Sequence, residues 1–179
     1  MPQAVKMVVT GPFSSGKTQF IQTISEIEVV ATERKISSDV EKIKNATTVA
    51  MDFGRSTVDE ELVLYLFGTP GQKRFDFMWE ILSEGMLGFI VMVDSTRPET
   101  FREARSILET FRAYAPTPYV VAANKQDRED AWDIEDMRHA LRLDAKTKLL
   151  PCVATDRNMV KSTLLELLYS ILEEMESGK

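Results

Sequence analysis

An α/β fold with a mostly parallel six-stranded sheet flanked by helices is what this sequence predicts, on three observations. Short, continuously apolar runs suited to strands buried on both faces alternate with stretches whose apolar residues recur at helical spacing. The first such run is followed at once by a glycine-bearing loop and a helical pattern. Finally, 179 residues at 44% hydrophobic and 28% charged suit one globular domain, residues 1–179, with an ample core.

Taken in order, Val5-Lys6-Met7-Val8-Val9 is the first strand, and a helix runs from Lys17 to about Ser25 with Phe20, Ile21 and Ile24 inward. Residues 26–46 lack a period and read as a mobile loop. Val49–Phe53 and Glu61–Phe67 form a hairpin turning near Val58-Asp59-Glu60, and Gly68-Thr69-Pro70-Gly71 is a dense turn signal. A helical stretch through Phe75, Met78, Trp79 and Leu82 leads to the buried strand Leu87–Val93. Ser95, Thr96, Pro98 and Glu99 open a helix with Phe101, Ala104, Leu108 and Phe111 on one face. Pro118–Ala123 is another buried strand, a short helix spans Ile134 to Leu141, and Lys148–Val153 is the sixth strand. The last helix carries an unbroken stripe from Val160 through Leu164, Leu168 and Leu172 to Met175, expected to pack on the sheet.

Composition excludes several function classes. A net charge of −6 argues against nucleic-acid binding. No apolar segment is long enough to cross a bilayer, and no secretory signal precedes the first strand. Pro2 stands where myristoylation needs glycine and the C-terminus has no cysteine, so neither common lipid anchor is expected, and the expected address is cytoplasmic. The lone cysteine, Cys152, lies in an apolar run and reads as buried packing.

The chemistry starts at Gly11-Pro12-Phe13-Ser14-Ser15-Gly16-Lys17-Thr18, a G-x-x-x-x-G-K-T phosphate-binding loop. Its backbone N–H groups converge at a helix N-terminus, where the dipole favours an anion. Lys17 adds a cation against the outer phosphates, and the Thr18 hydroxyl can ligate a hard cation such as Mg²⁺. Gly11, Phe13, Ser14, Ser15, Gly16, Lys17, Thr18 and Gln19 form the expected phosphate-binding set. Such a loop alone does not choose among kinases, ATPases and GTPases. A second signal does: Asn124-Lys125-Gln126-Asp127, an N-K-x-D run at the end of a buried strand, where ligands of open α/β sheets collect. The Asp127 carboxylate can accept from guanine N1–H and N2–H₂, whereas adenine offers neither donor in that arrangement.

On these motifs the sequence resembles the Ras-like small GTPases of the P-loop NTPase class over nearly its whole length. Thr48-Val49-Ala50-Met51-Asp52-Phe53 is similar to the first switch, which implies that Thr48 binds Mg²⁺ and senses the γ-phosphate. Gly68-Thr69-Pro70-Gly71-Gln72 resembles D-x-x-G-Q, implying that Gly71 donates to the γ-phosphate and Gln72 orients the attacking water. Catalysis is thereby expected from Gln72, Lys17 and Thr48. Val153-Ala154-Thr155 looks like the S-A-K loop, whose alanine N–H meets guanine O6. Ala154, with Thr155 beside it, completes the base-binding set of Asn124, Lys125 and Asp127.

Gly68 departs from the pattern, standing where an aspartate usually holds a Mg²⁺-bound water. Asp52 is the expected substitute, acting through water; the alternative is a strand residue facing solvent. Together G-T-P-G-Q and Phe13 resemble the bacterial Ras-like switches, which include the Mgl-type gliding-motility GTPases and relatives from signalling operons. That resemblance implies a GTP/GDP switch with Mg²⁺, slow intrinsic hydrolysis, a Roadblock-domain regulatory partner and an unidentified effector. Motility members place an arginine finger where this chain has Thr47, leaving Arg34, Arg55 or Arg74 as intrinsic sources, each otherwise a surface charge. Phe53, Phe75, Phe77 and Trp79 near the switches are a partner surface or core, with core favoured for each. The alternative function is a GTP-bound interaction module that does not hydrolyse.

Overall fold

The computed structural model describes residues 1–29, 52–71 and 76–178. Six strands, β1 (Gln3–Thr10), β2 (Asp52–Asp59), β3 (Leu62–Gly68), β4 (Gly88–Asp94), β5 (Tyr119–Asn124) and β6 (Leu149–Pro151), form one sheet in the order β2-β3-β1-β4-β5-β6. All neighbours pair parallel except β2, which turns back antiparallel on β3. The helices are α1 (Lys17–Ile24), α2 (Phe77–Ser83), α3 (Phe101–Tyr114), α4 (Ile134–Ala140) and α5 (Arg157–Glu176), with a 3₁₀ turn (Pro98–Thr100) leading into α3.

Strand alternation sorts the core into two layers. Met7, Val9, Ile90 and Met92 face α1 and α5, where Phe20, Ile21, Ile24, Leu164, Leu167 and Ile171 meet them. Val8, Phe89, Val91 and Val93 face the other way, onto Trp79 of α2 and Phe101, Ile107 and Phe111 of α3. Because β1, β4 and β5 are parallel, their C-terminal ends share one edge. The chain leaves β1 on one side towards β3 and returns on the other as β4, opening the crevice at which α/β sheets bind ligands.

Three expectations shift. The hairpin turns at Glu60-Glu61, because Val58 and Asp59 remain in β2 beyond a register shift and the Asp59 carboxylate accepts from the Glu61 N–H. The sixth strand shortens to Leu149–Pro151, although Cys152 N–H still donates to Ala123 O. The stripe on α5 stays buried through Ile171, but Leu172 and Met175 emerge as the 20-residue helix outruns the sheet. Val49–Met51 and the loop around them lie outside the described residues.

Cys152 is fully buried, and that burial pushes its thiol up to about 11, so at neutral pH it is protonated and shielded. A disulfide reagent at pH 8 should therefore label the folded protein at least ~100-fold more slowly than the unfolded chain. Comparable rates in buffer and in guanidinium would show that β6 does not sit as described.

Candidate functional site

The phosphate loop closes because two residues that bear on it are glycines. Gly16 sits at φ 107°, and a Cβ there would lie 2.2 Å from the Asn124 amide nitrogen. Gly71, arriving from beyond β3, presses on the loop from outside: a Cβ would lie 2.6 Å from Phe13 Cα and 2.7 Å from Lys17 Nζ. Lys17, the first residue of α1, is buried, and its ammonium donates to Gly11 O and Pro12 O at 2.8 Å each. That bond pair arches the loop and places one positive charge at the helix N-terminus. Lys17 and Gly71 therefore converge on the place where Gly11, Ser15 and Gly16 turn the chain.

Thr18, next along α1, points to the hairpin and donates to Asp52 Oδ2 at 2.5 Å. Asp52 is only 5% exposed, which rules out the solvent-facing alternative. It pairs across the antiparallel ladder with Gly68, and a Cβ on Gly68 would come within 3.3 Å of Asp52 Oδ2. The carboxylate thus occupies the space that a side chain at 68 would claim. Burial raises its pKa above the usual carboxylate range, against the pull of the Thr18 hydrogen bond and the Lys17 charge. A buried, strained-for-charge carboxylate beside a hydroxyl is a hard-oxygen pair that a Mg²⁺ ion, directly or through water, fits.

At the other end of the crevice Asn124 joins three elements. Its amide donates to Ser15 O at 3.0 Å and accepts from the Ala154 N–H at 2.9 Å, wholly inside the protein. Thr23 of α1 donates to Ala154 O, closing a second tie. Lys125, at φ 65°, turns the loop outward, and its ammonium reaches Asp94 Oδ2 at 2.8 Å. Although burial pushes the Asp94 carboxyl up, hydrogen bonds from Lys125 and Thr96 hold it below the usual range. Gln126 donates to Ser95 Oγ and Trp132 O, bracing the turn from behind. Asp127 is exposed, and among the described residues none donates to its carboxylate.

The structure therefore brings together Gly11, Ser15, Gly16, Lys17, Thr18, Gly71, Asn124, Lys125 and Ala154, with Asp52 behind Thr18. Ser14, at φ 61°, and Phe13, about half exposed, form the outer lip of the loop, and Thr155 lies exposed beside Ala154. The Gln19 side chain does not join them, because it donates to Thr23 Oγ1 along the outside of α1. Thr48, Gln72, Arg34, Arg74, Phe75 and Thr47 lie outside the described residues. Arg55 lies against Glu26 at 3.8 Å on the surface between α1 and β2. Of the aromatic group, Trp79 is core and donates to Pro70 O, and Phe53 stacks on Tyr65 on the hairpin. Phe77 departs from the core expectation: it opens α2 at 53% exposure. Sequence reasoning missed Asp94, Ser95 and Thr23. The available signal was Asp94 itself, a carboxylate ending an otherwise apolar strand in register with Asn124.

A family described as "conserved hypothetical ATP binding protein" matches residues 28–177. The chain belongs to this family. The match begins after the phosphate loop, so the loop's reading rests on its own residues. This family member is also 31% identical over 126 residues to an uncharacterized protein of Methanocaldococcus jannaschii, covering 70% of this chain and 73% of that one. It is 25% identical over 167 residues to ADP-ribosylation factor-like protein 3 of Saccharomyces cerevisiae, covering 88% and 81% of the two chains. It is 26% identical over 179 residues to the human Ras-related protein Rab-3A, covering 97% and 76%. Fold and relatives together fit a nucleotide-binding domain of the Ras-like superfamily.

The Lys125–Asp94 pair is a half-exposed cation on a buried anion, 41% against 2% exposure of the side chains. Lys125→Met strands the carboxylate, at a cost of about 2–3 kcal/mol after allowance for solvent at the lysine, or roughly 4–10 °C in Tm at pH 7. Without Lys125 the Asp94 carboxyl loses a hydrogen bond and a charge that hold its pKa down, so its pKa rises. The deficit should then shrink as pH falls towards 4 and the carboxyl takes up a proton. Calorimetry from pH 7 to 4 reads both effects; a deficit that is constant with pH would place the damage elsewhere.

Proposed function

We propose that the chain is one guanine-nucleotide-binding G domain that acts as a switch, binding GTP or GDP with Mg²⁺ and hydrolysing GTP slowly. The observation that carries this reading is the Asn124 bridge. It ties the phosphate loop to the Ala154 turn, and three residues beyond Asn124 the exposed Asp127 carboxylate can accept from the N1–H and N2–H₂ of guanine. The names of the Arf-like and Ras-related relatives support the same reading.

In this reading the loop N–H groups and Lys17 bind the phosphates, while Lys17 and the Gly71 N–H stabilise charge that develops on the γ-phosphoryl group. Gln72 orients the attacking water, and Thr48 closes over the γ-phosphate from the first switch. Thr18, Thr48 and Asp52 would hold Mg²⁺, which when bound offsets charge on the β- and γ-oxygens. Hydrolysis removes the γ-phosphate contacts and releases both switches. With no arginine at Thr47, turnover is on the order of 10⁻⁴ per second, and a partner arginine would add roughly 10³–10⁵. A Roadblock-domain partner of the kind that serves Mgl-type switches is the proposed regulator, with an effector reading the GTP state and both working in the cytoplasm. Adenine-nucleotide binding is the second reading, favoured by the family's own description.

Nucleotide titrations decide between the two. GDP and GTP should bind at least ~100-fold more tightly than ATP, since an adenine leaves the Asp127 charge unpaired. Asp127→Asn should lose GDP by a similar factor and gain xanthosine diphosphate, because an amide can donate to the C2 oxygen of xanthine. Equal affinity for ATP would sink the guanine reading.

The metal assignment has its own check. Asp52→Ala should raise the Mg²⁺ concentration needed to slow GDP release by about tenfold. The exchange Asp52→Gly with Gly68→Asp, which moves the carboxylate across the ladder, should restore most of it. Of the three atoms nearest to a Cβ at position 68, two belong to Asp52 and the third is the flexible Ile21 Cδ1. Direct Mn²⁺ binding by electron paramagnetic resonance reads the same change without turnover; an unaltered affinity in Asp52→Ala would remove Asp52 from the metal site.

A further inference from the structure

Away from the crevice, a cavity of about 530 Å³ opens between the start of α3, the loop that follows β5 and the end of α4. Its lining carries three guanidinium groups, Arg102, Arg105 and Arg142, and no carboxylate, in a chain whose net charge is −6. Arg105 has Glu109 one turn along α3 at 3.3 Å. Among the described residues neither Arg102 nor Arg142 has a carboxylate partner. The apolar wall is Trp132, 38% exposed, set edge-on against the buried Phe101 ring at 5.2 Å. The main chain that carries the indole is held from behind, with the Trp132 backbone N–H donating to Ser95 O and Gln126 Nε2 donating to the Trp132 carbonyl.

Arg142 is the second, independent observation. It follows the C-cap of α4 at φ 52°, with its own N–H bonded to His139 O and the Leu143 N–H bonded to Arg138 O. That is the helix-ending pattern in which the left-handed position usually falls to glycine. Here the position carries an arginine, whose side chain lines the cavity at the expense of backbone comfort.

We propose that this cavity binds an acidic peptide segment of a partner protein, its carboxylates on Arg102 and Arg142 and an apolar side chain against Trp132. Guanidinium forks match carboxylates in pairs, and an exposed ring set on a rigid base suits an apolar anchor. The surroundings choose among anions. Glu99, Glu103, Asp133 and Asp136, all exposed around the cavity, repel any anion that extends past the basic floor, which a long phosphate backbone or an anionic membrane does to a greater extent than a short peptide segment. The lining shares no residue with the phosphate loop, so this site is separate from the nucleotide crevice.

The test uses the full chain loaded with GDP. Its probe is a fluorescein-labelled heptapeptide of glutamates around one phenylalanine, compared with its glutamine counterpart by fluorescence anisotropy. The acidic peptide should bind at least ~10-fold more tightly than the neutral one, and weaken as salt rises from 50 to 300 mM. Arg142→Gly restores the preferred residue to the helix end, so it should keep or raise Tm while weakening the peptide at least ~5-fold. Arg102→Ala should weaken it likewise, and Lys161→Ala, an exposed cation on α5, should not. Equal binding of the two peptides, wild-type affinity in Arg142→Gly, or capture of a single-stranded oligonucleotide or phosphatidylserine vesicles in place of the peptide would each overturn the proposal.

Discussion

A single buried amide sets the dimensions of the site. Asn124 can satisfy both ends of its side chain only when the phosphate loop stands on one side and the Ala154 turn on the other. An unpaired amide at that depth would cost more than either bond contributes, so the two loops are held at one separation. Thr23 repeats the constraint from α1, the helix that follows the phosphate loop. The separation of the phosphate loop from the Ala154 turn is therefore a property of β5 and α1.

The second constraint lies across the hairpin. Among the described strands β2 alone runs antiparallel, and its pairing with β3 puts Asp52 opposite Gly68 and against Thr18. A slip of one residue would turn Asp52 to the other face of the sheet and remove it from the site. The hairpin is thus tied to α1 through one carboxylate, and any change at Thr18 is felt by β2. The small residue at 68 and the acid at 52 make one arrangement, each unexplained without the other.

Asp94, Ser95, Gln126 and Trp132 form a polar brace around the Asn124–Asp127 turn. It holds the left-handed turn at Lys125, two residues before the exposed Asp127. The same brace carries the indole wall of the arginine-lined cavity, so the back of one site is the side of another.

By itself the sequence determined the alternation of strands and helices, the phosphate loop and the N-K-x-D turn, because these follow from local periodicity and from residues a few positions apart. It also pointed to Asp52, since the missing carboxylate at 68 called for another on the neighbouring strand. Only the tertiary structure decided that Asp52 is buried against Thr18, that the Gln19 side chain bonds Thr23, that Phe77 and the end of α5 are exposed, and that Arg142 occupies a glycine position over a cavity. Each of these depends on strand register, helix length or the packing of segments far apart in the chain. A single sequence carries no periodic signal for contacts of that kind.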